Sequence, residues 1–238
     1  MAWLGRVRRA WQAVRYGSQL DRVRTPAELQ GLVDRVRPAD FLYWASMAAQ
    51  KRDEIAIVTR HLGFTFRGKR FLDLGPGHGE ALDFAHAEGA AACRFVEADP
   101  FLFAHNRVKG VATGDRRDFL RWLPDERFDF VWVKASVSPH NFWRHAEARR
   151  WMRRVSSCLT PGGELVVCPY WGRRAPSREA AFAHWFSRAL LAEGFSPMPY
   201  VPGHNEGCFP ISFRYHAPEE GHPRTGRRAP LPATPLPP

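Results

Sequence analysis

The run Phe71-Leu72-Asp73-Leu74, followed by Gly75-Pro76-Gly77-His78-Gly79-Glu80, constrains this chain more than any other stretch. An apolar, strand-like segment breaks into glycines at every second position and then turns helical. Glycine frees the backbone for a sharp turn and for close approach to a ligand, because no Cβ forbids positive φ. Asp73 stands two residues before the first glycine, at the carboxyl end of the expected strand. In an open α/β sheet that edge is where ligands bind. A dinucleotide loop reads G-x-G-x-x-G and cradles pyrophosphate on backbone N–H groups. The spacing here is D-x-G-x-G-x-G. The acid beside the loop disfavours pyrophosphate and suits an ammonium, as in a zwitterionic amino-acid moiety.

From residue 69 onward, strand and helix patterns alternate: strand 69–74, helix 78–88, strand 93–97, helix 101–108, strand 111–113, helix 116–122, strand 127–133. That period predicts βαβ units and a parallel, buried sheet. A helix over 140–158 follows, then Thr160-Pro161-Gly162-Gly163 as a turn and a strand from Glu164 to Cys168. A helix from Ser177 to Glu193, stopped by Gly194, and short strands near 197–201 and 208–216 complete the expected domain.

Ahead of it, residues 2–20 place Trp3, Leu4, Val7, Trp11 and Val14 at helical spacing, with Arg6, Arg8, Arg9 and Arg15 largely off that stripe. Such a helix either packs as a lid on its own domain or lies on an anionic membrane surface. Thr25-Pro26-Ala27-Glu28 is a capping box with proline at the first helical position, opening a helix that ends near Val36. The segment from Asp40 to His61 lacks proline and glycine and reads as one long helix ended by Gly63. Its aromatic residues Phe41, Tyr43 and Trp44 suit core packing or substrate contact. Residues 217–238 are rich in proline and charge, the composition of a disordered tail. The expected organisation is a helical cap over 1–64, a ligand-binding domain over 65–216 and the tail beyond.

The glycine-loop motif resembles that of the class I S-adenosylmethionine-dependent methyltransferases, whose first motif is an acid, any residue, then G-x-G-x-G. Other positions extend the resemblance over residues 65–216. Phe95-Val96-Glu97-Ala98-Asp99-Pro100 ends the second strand in an acid 22 residues after Gly75. In that family an acid here accepts hydrogen bonds from both ribose hydroxyls, a task suited to a carboxylate because its oxygens are acceptors only. Asp99 competes for the role but falls where the next helix is normally capped. Gly114-Asp115 follows the third strand, where the family presents an acid to the adenine amino group and the next backbone, here Arg116, to the ring; an N-cap of helix 116–122 is the alternative for Asp115. Phe128-Asp129-Phe130-Val131 resembles the family's F-D-x-V run, and Leu159-Thr160-Pro161-Gly162-Gly163 its L-x-P-G-G turn.

The resemblance implies a Rossmann-like, doubly wound, mostly parallel α/β sheet with an antiparallel last strand, preceded by N-terminal helices. It implies S-adenosylmethionine as cofactor, held by Asp73, Gly75, Gly77, Gly79, Glu97, Asp115, Arg116 and Lys134. The segment Lys134 to Trp143 occupies the substrate side, and His140 is its candidate general base because imidazole titrates near neutrality. His78 would line the cofactor loop. No acidic-proline-proline-aromatic sequence follows the fourth strand and no cysteine lies there, which disfavours adenine, glutamine and cytosine-C5 methylation. A small metabolite, a sugar or a lipid-linked intermediate is the expected acceptor of the methyl group, on oxygen or nitrogen. The competing readings are an NAD-dependent Rossmann oxidoreductase and a non-catalytic S-adenosylmethionine- or RNA-binding scaffold.

The chain carries a formal net charge of +11, with +5 in residues 1–37. Nearly all of the basic residues are arginine, spread along the chain, so nucleic-acid binding is a weaker inference than the charge alone suggests. The four cysteines show no metal-ligand spacing and read as reduced thiols, and no metal site is expected. Nothing resembles a membrane span or a signal-peptide core, so the default compartment is the cytoplasm, with peripheral membrane contact through the first helix as an option.

Overall fold

The computed structural model describes residues 2–46, 48–134, 145–168, 177–198 and 213–219. Four helices lead the chain: α1 (Ala2–Arg22), α2 (Pro26–Val36), α3 (Ala39–Ala45) and α4 (Ala48–Leu62). The alternating part follows: β1 (Arg70–Leu74), α5 (Glu80–Ala87), β2 (Ala92–Val96), α6 (Pro100–Lys109), β3 (Thr113–Asp115) and β4 (Phe128–Lys134). After it come α7 (His145–Ser157), β5 (Leu159–Cys168), α8 (Ser177–Ala192), β6 (Ser196–Pro197) and β7 (Phe213–His216). The strands form one seven-stranded sheet in the order β3-β2-β1-β4-β5-β7-β6. β1 to β5 are parallel and β7 runs antiparallel to β5 and β6. The chain steps outward from β1 in one direction through β2 and β3, then returns to β4 on β1's other side. That reversal places a topological switch point between β1 and β4, where a crevice opens at the strands' carboxyl ends.

Alternation along the strands divides the core into two layers. Leu72, Leu74, Val96, Val131, Val133, Leu165 and Val167 face α7 and α8, packing on Trp151, Met152, Val155, Phe186 and Leu190. Phe71, Phe95, Phe130, Trp132 and Val166 face α4 and α5, against Ile55, Val58, Phe66, Ala81, Leu82 and Ala85. A third cluster joins Leu20, Leu29, Leu32, Val33 and Phe41 of the first three helices to Phe101, Leu102 and Ala104 of α6. The leading helices are therefore built onto the flank of the sheet domain through α6. At the sheet's amino edge Asp129 accepts from the backbone N–H of Arg70 (2.8 Å) and the Thr160 hydroxyl (3.1 Å), tying β1, β4 and β5 together.

Three expectations are corrected. The long helix from Asp40 to His61 is two helices, parting at Ser46, whose hydroxyl donates to the Tyr43 carbonyl at 2.7 Å. α3 buries Phe41 in the cluster with α6, whereas α4 buries Ile55 and Val58 under the sheet, so the two stretches serve different cores. No helix forms over 116–122. Asp118 instead makes a turn there, its carboxylate accepting from Leu120 N–H (3.1 Å) and its carbonyl from Arg121 and Trp122 (2.9 Å each), which drops Phe119 and Leu123 into the core. The Pro161-Gly162-Gly163 segment lies within β5 as an irregularity: Phe128 pairs with Leu159 but Phe130 with Glu164.

The first helix does pack on its own domain, but not through Val7, Trp11 and Val14 of the expected stripe, whose other members Trp3 and Leu4 lie outside the described side chains. Gln12, Gly17 and Leu20 are buried, and Tyr16 meets Phe101 edge-on at 5.8 Å. Val7, Trp11 and Val14 face outward. The decisive apolar residues lie in the helix's last turns, where Arg107 also clamps the carbonyls of Leu20 (2.7 Å) and Val23 (3.0 Å).

Candidate cofactor and methyl-transfer site

The strand register sets the site. Leu74 pairs with Val96, Val96 with Asp115, and Asp73 with Trp132. Gly75, Glu97, Arg116 and Lys134 consequently fall in one row at the carboxyl edge. Two further hydrogen bonds carry the ladder into that row: Gly75 N–H to the Val96 carbonyl (2.9 Å) and Glu97 N–H to the Asp115 carbonyl (3.1 Å).

The glycine loop occupies the β1–α5 junction with Gly75, Gly77 and Gly79 at φ 76°, 63° and 78°. Only glycine adopts such values without strain. Gly79 is constrained twice, since a Cβ there would come within 1.9 Å of Asn106 Oδ1. Asn106, buried on α6, donates through Nδ2 to the Gly77 carbonyl (2.8 Å) and to its own helix at Leu102 (2.9 Å). Lys109, one turn further on, donates to the His78 carbonyl at 2.7 Å and pairs with Asp83. The loop's carbonyls are thus gripped from α6.

His78 turns toward α3. Its Nε2–H donates to the Phe41 carbonyl at 2.8 Å, and its ring packs on Phe41 (4.3 Å) and His105 (4.5 Å). Burial first, then the neighbouring His78 and Lys109, pushes the His105 imidazole down to about 3, so it is neutral.

Glu97 is buried, and its Oε1 accepts from Asp99 N–H at 2.8 Å, which fixes the carboxylate against the start of α6. Asp99 caps that helix, accepting from Phe101 N–H (2.9 Å) and Leu102 N–H (3.0 Å). Burial pushes its carboxyl up against the pull of those bonds. Asp73, Gly75, Pro76, Glu80, Ala81, Trp132 and Lys134 line a narrow crevice between β1, β4 and the first turn of α5. Lys134 is almost fully buried and forms an ion pair with Glu54, completely buried on α4. Lys134 therefore lines a crevice with two carboxylates, Asp73 and Glu80, and is itself paired with a third, Glu54.

Residues 43–204 match the family described as a methyltransferase domain. The chain belongs to this methyltransferase family. Solved structures of similar fold include the N-methyltransferase NodS from Bradyrhizobium japonicum in complex with S-adenosylhomocysteine, at 15% identity and TM-score 0.50 over 71% of this chain and 87% of that one. An O-methyltransferase family protein from Burkholderia thailandensis matches at 15% identity and TM-score 0.56, covering 92% of this chain and 71% of that one. The complex of DhpI with S-adenosylhomocysteine matches at 17% identity and TM-score 0.50, with 76% and 96% covered. No curated protein matches the sequence. By family and fold this is a class I S-adenosylmethionine-dependent methyltransferase.

Of the methyltransferase's expected site residues, Asp73, the three glycines, Glu97, Arg116 and Lys134 stand at or beside the switch-point row. Asp115 ends β3 and its carboxylate is held by Arg94 of β2 at 2.6 Å, while Arg94 also reaches Glu126 at 3.0 Å. Arg116 points back to the leading helices and meets Asp21 at 3.4 Å. His140 lies outside the described residues, as does the rest of segment 135–144. Sequence reasoning missed Asn106, Glu54, Glu80 and Arg94. For Asn106 and Glu54 a signal existed: each is a polar residue four positions from an apolar one, Leu102 and Val58, on a helix face that must be buried.

Proposed function

We propose that this methyltransferase transfers a methyl group to an oxygen or nitrogen of a small-molecule, sugar or lipid-linked acceptor. The observation that carries the cofactor half is the row of Gly75, Glu97 and Lys134 at the switch point, with Asp73 and Glu80 lining the crevice beside it. The donor set fits S-adenosylmethionine. Glu97 offers acceptor oxygens suited to a ribose diol. Asp73 and Glu80 place negative charge where an α-ammonium belongs, and Lys134 supplies the counter-charge for a carboxylate. The glycines carry no Cβ, so a ligand can approach the loop backbone closely.

When bound, the sulfonium supplies an already activated methyl group, so this chain's task is chiefly to orient the two reactants. Glu97 fixes the ribose end, and its own position is fixed by Asp99 N–H. Asn106 and Lys109 hold the loop carbonyls so that the glycine backbone need not reorganise on binding. Asp115 and Arg116 would flank the adenine end when the cofactor is bound. His140 takes the proton from an acceptor hydroxyl or amine where one must leave. Helices 1–64 act as the cap of this site.

Calorimetric titration with S-adenosylhomocysteine and with NAD tests the reading. Saturable binding of the thioether nucleoside alone is expected, with Glu97→Ala weakening it about tenfold to a hundredfold through loss of charge-assisted hydrogen bonds. NAD binding, or an unaffected Glu97→Ala variant, would overturn the assignment.

A further inference from the structure

The outward face of α1 does not serve the domain's core. Val7, Trp11 and Val14 are 46%, 51% and 89% exposed, and at 3.6 residues per turn they fall within an arc of about 60°. The docked residues Gln12, Tyr16 and Leu20 lie on the opposite side of the helix. A single exposed apolar side chain is ordinary, whereas an aligned set on one helix face marks an interaction surface. Leu42 and Tyr43 on α3, 40% and 49% exposed, add apolar surface on a helix joined to α1 by the Arg8–Asp40 ion pair.

The charge on this helix is predominantly positive, although Asp21 also flanks the stripe, about 50° from its centre. α1 carries Arg6, Arg8, Arg9, Arg15 and Arg22 against a single acid, Asp21. That acid is itself matched by Arg116, at 3.4 Å. Arg15 and Arg22 are exposed and sit within about 70° of the stripe's centre by the helical turn. The Arg15 guanidinium lies 4.8 Å from the Trp11 ring centroid. This pairs an amphipathic indole, suited to a headgroup boundary, with a cation suited to phosphate. A protein groove would accept the apolar stripe but gives no account of the surrounding arginines. Nucleic acid would accept the arginines but gives no account of exposed Val7 and Val14. An anionic bilayer surface accounts for both.

We propose that α1 docks this methyltransferase on anionic lipid, with Val7, Trp11 and Val14 entering the headgroup boundary and Arg15 and Arg22 on lipid phosphates. No helix among the described residues is long and apolar enough to span a bilayer, so the contact is peripheral.

The test is flotation of the full chain with phosphatidylcholine vesicles, alone or with about one-third phosphatidylglycerol. Wild type should bind the anionic vesicles about tenfold better than the neutral ones, and added salt should weaken that preference. Val7→Glu/Val14→Glu should lower binding about tenfold, and Arg15→Gln to a lesser degree. Both valines are exposed, and Val14→Ser alone provides a milder variant should the double one fold poorly. S-adenosylhomocysteine binding should be unchanged in all three, so failure here is separable from failure of the cofactor assignment. Equal binding of wild type to both vesicles, or binding indifferent to the valine substitutions, overturns the proposal. So does self-association abolished by Val7→Glu/Val14→Glu without lipid binding, or RNA binding without lipid binding.

Discussion

Gly79 shows how closely the ligand loop is matched to what lies beneath it. Its φ of 78° alone makes a side chain costly, and Asn106 Oδ1 occupies the space a Cβ would need. Gly79→Ala should therefore lose about 2–4 kcal/mol, combining about 1–2 kcal/mol for the left-handed conformation with displacement of a buried hydrogen-bonding amide. The two parts can be separated. In an Asn106→Ala background the clash is gone, so Gly79→Ala should cost only the conformational part, a non-additivity readable by urea denaturation. Strict additivity would show that Asn106 does not set the loop. The glycines were legible in the sequence because their spacing is local. Asn106 was not, since its bond to Gly77 spans 29 positions and an asparagine in a helix is silent about its partner. The cap that Asp99 makes on α6 was legible as well, since it follows the ordinary preference of that position.

Elements whose signals are local were read from the sequence almost to the residue. The capping box of α2 forms as expected, Thr25 Oγ1 accepting from Glu28 N–H at 3.2 Å and the Glu28 carboxylate from Thr25 N–H at 3.1 Å. The α3–α4 break was illegible because no proline or glycine marks it; it arises from two cores drawing one run of residues in different directions. Helix 116–122 was over-read for the complementary reason, a short apolar pattern that a turn around Asp118 satisfies as well. Where α3, the glycine loop and α6 meet, His105 supplies a pH test of element packing. The unfolded imidazole titrates near 6.5, the folded one at about 3. Between these values the unfolded chain binds more protons, so stability is fully present above about pH 6.5 and falls as pH falls. The slope is bounded by about 1.4 kcal/mol per pH unit and reduced by the ring's partial contact with solvent. From about pH 6.5 to about pH 5, wild type should lose up to about 1–2 kcal/mol more than His105→Gln in urea unfolding. Parallel losses in the two proteins would rule out His105 as the titrating group.

At the scale of the whole molecule, the joints between the leading helices and the sheet domain include two unlike devices. One is the apolar cluster between α1, α2, α3 and α6. The other is the buried Glu54–Lys134 pair, which carries α4 to the carboxyl end of β4. Burying an ion pair gains little over apolar packing, but losing one partner costs about 3–5 kcal/mol by stranding the other charge. The crevice makes the two losses unequal. Without Lys134, the fully buried carboxylate of Glu54 loses its ion-pair partner beside a crevice that Asp73 and Glu80 already make negative. Without Glu54, Lys134 keeps both crevice carboxylates as neighbours. Lys134→Met should accordingly be the more destabilising single change, near the upper end of that range, with Glu54→Leu about 1–2 kcal/mol milder. Glu54→Leu/Lys134→Met should recover part of the Lys134→Met loss, because no charge is left behind α4. Lys134→Met should also weaken S-adenosylhomocysteine, whereas Glu54→Leu should leave the nucleoside's affinity within about threefold, since the lysine remains at the crevice. Denaturation midpoints and calorimetry on the three variants decide this. If Glu54→Leu were the costlier single change, the ammonium would belong to α4 rather than to the ligand crevice, and the pair would be a strut between helix and sheet with no part in binding.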